Sequence, residues 1–376
     1  MKPMAVLIAV ALLLALLTVS VGALSPQELY EQQLEASGAG ELYDVLPEET
    51  QALLRRIGVD EFSMAAALEM TPQTVLSTLR DLVREESTAP FTSATVLLGV
   101  LLCLGFFEAL QPAGGDSSGV FRCVCVLAAI TPLLVPLWQT MQRTLAAAES
   151  ASVFLLSFAP VYAAMLLASG GTATALTFQT LMLTTAEGIG VLAVQVIVPL
   201  CFVSLAFGVA GAMDPAHRLT GIGSMVSKIN TWMLTVSLMI FVALLSFQSI
   251  LAAGADTVGG RMLRFSVAGF VPIVGGSLSE ALYTVQGCLS ALRGTVGGFG
   301  VLCAVCIVLP TLLECVVWDV LLFLVKITAE LFSFQSIAAV AGMLKGVMKT
   351  LIAVLSSAGL LLVISLTLVT MGVGVR

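Results

Sequence analysis

Apolar residues dominate the chain in long runs that short polar connections interrupt. Beyond residue 90, runs near 91–111, 119–141, 189–212, 231–253, 296–318 and 351–374 are each long enough to cross about 30 Å of hydrocarbon as helices. Two further apolar stretches, 152–171 and 264–288, are less regular. Each carries Phe-x-Pro near its middle (Phe158-Ala159-Pro160 and Phe270-Val271-Pro272) and a glycine pair soon after, Gly170-Gly171 and Gly275-Gly276. Proline removes a backbone donor and glycine loosens a helix. Such interruptions are tolerated at membrane depth only where protein or a wet cavity shields the backbone from lipid. The pattern predicts an all-α polytopic membrane protein with about six to eight transmembrane helices. Six spans plus two re-entrant broken hairpins is the arrangement it favours.

The first 90 residues differ. Residues 1–23 read as a signal peptide: Lys2 supplies the positive start, AVLIAVALLLALL the apolar core, and Val21-Gly22-Ala23 the small residues of a cleavage site. An uncleaved anchor is the alternative, and both place residue 25 onward outside the cytoplasm. Residues 24–90 predict a small acidic helical extracytoplasmic domain. Ser25-Pro26-Gln27-Glu28 has the form of a capping box. Leu46-Pro47-Glu48-Glu49 opens a second helix that ends near Gly58. Thr71-Pro72 opens a third, with Val75, Leu76, Leu79, Leu82 and Val83 at helical spacing.

The remainder, 91–376, is the polytopic membrane domain. With residue 25 outside and both irregular stretches returning to the side they enter, the connection 213–230 with Arg218 and Lys228 falls in the cytoplasm. So does 319–350 with Lys326, Lys345 and Lys349, in agreement with the positive-inside bias, although Arg261, Arg264 and Arg293 then lie outside. Spacing also argues for a parallel internal repeat, 119–230 and 231–350. The two Phe-x-Pro motifs are offset by 112 residues, and Pro199 and Pro310 by 111. Paired broken segments in corresponding halves point to a binding site or pathway near the midplane. The competing explanation is that Gly and Pro are simply common in membrane helices.

Composition narrows the function. The chain is 59% hydrophobic and 10% charged, with a mean hydropathy of +1.07, far from the roughly 25% charge a soluble surface carries. Of the net charge of −7, −9 resides in residues 25–90, which leaves +2 on the rest. No basic patch exists to neutralise phosphates, so nucleic acid is not expected as a partner. Seven of the eight cysteines lie in apolar runs. Cys303 and Cys306 form a C-x-x-C inside VLCAVCIVL with no second pair, which favours packing over redox or metal chemistry. His217 is the single histidine and follows Asp214-Pro215 in a polar connection. Phosphate-binding glycine loops and nucleophile or zinc motifs are missing from the sequence, so neither an enzyme nor a cofactor is expected.

Charges at membrane depth are the remaining chemistry. An ionisable side chain in hydrocarbon costs about 2.5–3.5 kcal/mol by insertion scales and therefore faces protein or water. Glu314, in PTLLECVVWD, is the leading candidate; Glu280 lies in the second irregular stretch and Glu187 precedes the third run. Glu108 and Arg122 flank the connection 112–118 and are placed to pair across it, whereas Asp319 reads as interfacial. Lys326 and Glu330 are four apart, the spacing of a helical pair. The candidate pathway or hairpin residues are therefore Phe158, Pro160, Gly170, Gly171, Phe270, Pro272, Gly275, Gly276, Glu280 and Glu314.

These segments resemble the stage III sporulation protein AE family of endospore-forming bacteria. The most specific part is RFSVAGFVPIVGG at 264–276 with the small-residue run through Gly287. Supporting pieces are LLASGG at 166–171, Lys228-Ile229-Asn230 and the long helix of Pro310. The resemblance implies a component of the multiprotein channel, or feeding tube, between mother cell and forespore. It implies a place in the mother-cell membrane surrounding the forespore. The partners it implies are an ATPase-like protein, ring-forming proteins and a forespore membrane protein, and it carries over no catalytic residue. A permease-like subunit is the first expectation; an autonomous secondary transporter of a small solute or ion, and a non-conducting scaffold, are the alternatives.

Overall fold

The computed structural model describes residues 34–35, 37–59, 72–110, 118–168, 172–213, 221–223, 225–244, 246–247 and 275–372. The signal peptide, Gly170, Gly171, His217, Phe270 and Pro272 lie outside them. Among the described residues every regular element is helical, and there is no strand. A 3-10 turn, Ala39–Leu42, precedes α1, Glu48–Ile57. Then follow α2, Pro72–Leu110; α3, Ser118–Ala168; α4, Thr172–Ile189; a π segment, Gly190–Ile197; α5, Val198–Met213; and α6, Gly221–Leu244. Two long helices, α7 (Gly275–Leu331) and α8 (Gln335–Gly372), complete the described chain. Among the described residues, six stretches are long and apolar enough to cross a membrane: Leu76–Cys103, Thr131–Ala168, Thr172–Gly211, Gly221–Leu244, Gly294–Leu331 and Ile337–Leu366. This is an all-α polytopic membrane protein.

Local signals place several boundaries where the sequence puts them. Helix α1 starts after Pro47 with Glu48 and Glu49 in its first turn and Arg55 and Arg56 in its last, the order that suits the helix dipole. It ends at Gly58, whose φ of 93° is a left-handed conformation that costs glycine nothing. Gly58 N donates to Arg55 O and Val59 N to Leu54 O, which satisfies two terminal carbonyls.

The third head helix does not stop at residue 90. It continues through Pro90 into the apolar run, so that α2 joins the head to the membrane domain as one 39-residue rod of about 58 Å.

The larger departure concerns the first irregular stretch. Helix α3 has 51 residues and passes straight through Phe158-Ala159-Pro160. No break falls at the proline: the helix runs on to Ala168, and α4, from Thr172, packs back against it. The reason is visible in the packing. Phe154, Phe158 and Tyr162 recur every four residues on the inner face, each at most 1% exposed, and with Phe178 of α4 they form an aromatic cluster with centroid separations of 5.0–6.5 Å. Pro160 sits on the exposed face. A buried stripe on one side holds the helix together across a missing hydrogen bond on the other.

Helices α3 and α4–α5 form one antiparallel hairpin. Trp138 meets Phe202, Ser152 Oγ donates to Ala186 O at 3.1 Å, and Phe158 meets Phe178. In the second irregular stretch, Gly275 and Gly276 are the first residues of α7 and Glu280 lies within it, all three in continuous helix.

The proposed repeat units also differ locally. Pro199 is the second residue after the π segment, whereas Pro310 lies within the regular helix α7. Asn230 of α6, fully buried, donates through Nδ2 to Ile197 O at 3.4 Å, at the end of that π segment. Helices α7 and α8 make a second antiparallel hairpin. Its tight turn is closed by Ser333 N to Glu330 O and Phe334 N to Ala329 O.

Candidate functional site

The seam between α3 and α7 gathers the most unusual chemistry in the bundle. Most of it is apolar: Leu155, Leu292, Val296, Cys303, Ala304 and Ile307 are all buried. Into this seam α7 projects Glu314, whose side chain is only 7% exposed. Two residues of α3, one turn apart, receive it. The Thr140 hydroxyl lies 2.6 Å from Glu314 Oε1 and 3.1 Å from the carbonyl of Pro136. It has a single proton, and the shorter contact to a carboxylate takes it. Arg143 Nη1 lies 3.2 Å from Glu314 Oε2 and, on its other side, 3.2 Å from Glu86 Oε2 of α2. Below this group, Thr144 Oγ1 is 3.8 Å from the sulfur of Cys315.

The arrangement explains how a carboxylate survives in so apolar a place. An unpaired buried carboxylate would lose several kcal/mol of solvation, which a hydrogen-bonded opposite charge offsets. Arg143 supplies that charge from the edge of the seam, where its side chain is 56% exposed. Its guanidinium reaches inward from that edge while much of the side chain stays outside the packed seam. One guanidinium thus serves two carboxylates on two helices, so the group holds α2, α3 and α7 together.

The residue just before Glu86, Glu85, pairs with Arg56 of α1 at 2.8 Å, both half-exposed. Adjacent residues of α2, about 100° apart around the helix, therefore take different partners, Glu85 in the head and Glu86 in the bundle.

The same seam receives Phe158. Its ring packs against the backbone of Gly300 in α7, a position where a side chain would collide with it. Of the sequence candidates, the structure thus brings Phe158 and Glu314 onto one interface, about 16 residues of α3 apart in height. Pro160 points away from it. The expected Lys326–Glu330 pair forms at 3.6 Å. Asp319 lies 3.8 Å from Lys345, whose ammonium sits over the ring of Phe323. Cys303, Cys306 and Cys315 are free and buried, as packing residues are.

Arg143, Thr140, Glu86 and Gly300 were not anticipated. Only Arg143 left a trace in the sequence: it lies in the polar notch QTMQRT between two apolar stretches. Among the described residues no group of three or more His, Cys, Asp or Glu could hold a metal ion.

Comparison with known proteins agrees with this picture. The chain is similar to Stage III sporulation protein AE of Bacillus subtilis (strain 168), with 28% identity over 217 residues. That alignment covers 56% of this chain and 54% of the relative, so the match spans about half the relative's length. No solved structure matches. A family model described as Stage III sporulation protein AE matches residues 59–375, which takes in every element from α2 to α8 and the whole of the α3–α7 seam. The chain belongs to the stage III sporulation protein AE family and is a polytopic sporulation protein.

Proposed function

We propose that this protein is a membrane component of the channel that links mother cell and forespore, that it acts there as a permease-like subunit, and that it is not an enzyme. One observation carries the reading beyond family membership. A member of a sporulation family buries Glu314 in an otherwise apolar transmembrane seam and pairs it there with Arg143, which also holds Glu86 at the seam's edge. Intramembrane ionisable groups are costly, and they are retained where a path or a moving interface needs them. On this reading the protein resides in the mother-cell membrane around the forespore, with the acidic head outside the cytoplasm. Its partners are the other channel subunits: an ATPase-like protein, ring-forming proteins and a forespore membrane protein.

Deletion in a spore former tests the role. Development is expected to stop after engulfment, and heat-resistant spores at wild-type frequency would refute it. Reconstitution separates the permease-like subunit from an autonomous transporter. Solute flux through vesicles holding this chain alone would favour the transporter. Flux only with the partner subunits present would favour the channel.

A further inference from the structure

Helix α2 is weakest where it carries the bundle contact. Pro90 lies inside it and has no N–H for the carbonyl four residues earlier, which belongs to Glu86. The surrounding sequence, STAPFTSAT, sets five hydroxyls within residues 87–95. All five turn back onto helix carbonyls: Ser87 to Arg84 O at 3.0 Å, Thr88 to Glu85 O at 2.9 Å, Thr92 to Thr88 O at 2.9 Å, Ser93 to Ala89 O at 3.0 Å and Thr95 to Phe91 O at 2.8 Å. Back-bonding of this kind competes with the backbone ladder and bends helices, as a proline does. On the head side of this weak point, α2 is tied to the head by Arg56–Glu85 and to α3 by Arg143–Glu86.

We propose that Pro90 is a hinge and that the Glu86–Arg143 pair is its latch. The head and the first turns of α2 swing as one unit about Pro90, while Arg143 stays on Glu314. The two halves of the bidirectional pair differ in what their rupture exposes. Glu314 is buried, so losing Arg143 strands a charge in the seam. When α2 departs, Glu86 leaves with it, and Arg143, already more than half exposed, keeps Glu314 as its partner. The guanidinium can therefore release Glu86 and still hold Glu314, so the α3–α7 seam stays closed while the head moves. Apolar residues such as Leu54 and Leu82 also hold the head down, so the swing is an excursion from the closed arrangement described above.

Amide hydrogen exchange of the full chain in lipid nanodiscs tests this, read on peptides covering 84–95, 138–148 and 308–318. Glu86→Gln is expected to speed exchange in 84–95 by about threefold and to leave 308–318 unchanged. Adding Pro90→Ala, which restores the missing donor, is expected to return 84–95 to the wild-type rate or below. Unchanged exchange in 84–95 after Glu86→Gln would overturn the latch. An equal rise in 308–318 would also overturn it, because the pair would then be holding the whole seam. Persistent fast exchange in the Pro90→Ala double variant would overturn the hinge.

Discussion

A β-carbon added to Gly300 would stand 2.7 Å from Cε2 and 2.9 Å from Cζ of Phe158. The ring cannot yield easily, because Phe154, Tyr162 and Phe178 surround it. Gly300→Ala is therefore expected to overpack the seam and destabilise the protein by about 1–3 kcal/mol, seen as a lower thermal midpoint in detergent. Phe158→Leu in the same chain should recover part of the loss by vacating the space. An additive effect of the two substitutions would mean that they do not meet.

The charged group predicts an order of severity. Arg143→Gln strands Glu314 in the seam and is expected to cost about 3–5 kcal/mol. Glu314→Gln keeps Thr140 as a hydrogen-bond partner and leaves Arg143 with Glu86, so it should cost less. Glu86→Gln breaks the more exposed half and should cost about 1 kcal/mol or less. The double variant Arg143→Gln/Glu314→Gln should be milder than Arg143→Gln alone. Thermal midpoints of the four proteins check the order, and a reversed order of Arg143→Gln and Glu86→Gln would contradict the burial argument.

Pro160 separates the path expected from sequence from the one in the fold. It lies on the exposed face of an unbroken helix. Pro160→Ala restores an intrahelical hydrogen bond and is expected to leave spore yield unchanged and to hold or raise the thermal midpoint, within about 3 kcal/mol. Loss of spores with normal stability and normal membrane levels would instead assign the proline itself to a path.

Two turns test the backbone. Ser333 closes the α7–α8 hairpin with φ of 63°, a left-handed conformation, at the position where such helix ends usually carry glycine. Ser333→Gly is expected to stabilise the protein by about 1 kcal/mol. The converse change, Gly58→Ala at φ 93° after α1, should destabilise the head by about 1 kcal/mol. Thermal melts of the two variants should move in opposite directions.

Much of the fold is legible before any coordinates. A run such as VLCAVCIVL has no soluble home, so the membrane class follows from hydropathy. The ends of α1 follow from Pro47 and Gly58, because caps act over one turn of chain. The Lys326–Glu330 pair follows from helical spacing. Glu314 stands out because its cost in hydrocarbon demands a partner.

The tertiary structure decided which partner, and where the chain turns. Local chemistry at Phe158-Ala159-Pro160 argues for a break, yet a buried aromatic stripe carries α3 unbroken past it to Ala168. Thr140 and Arg143 meet Glu314 across more than 170 residues of sequence. No periodicity encodes such a meeting, since it depends on the register in which two long helices pack. Gly300 reads as one more small residue until Phe158 lies against it. Sequence alone therefore determined the solvent, most of the helices and the leading buried carboxylate, Glu314. Packing determined the seam, because contact between distant segments is set by how whole helix faces fit, and not by any stretch of either.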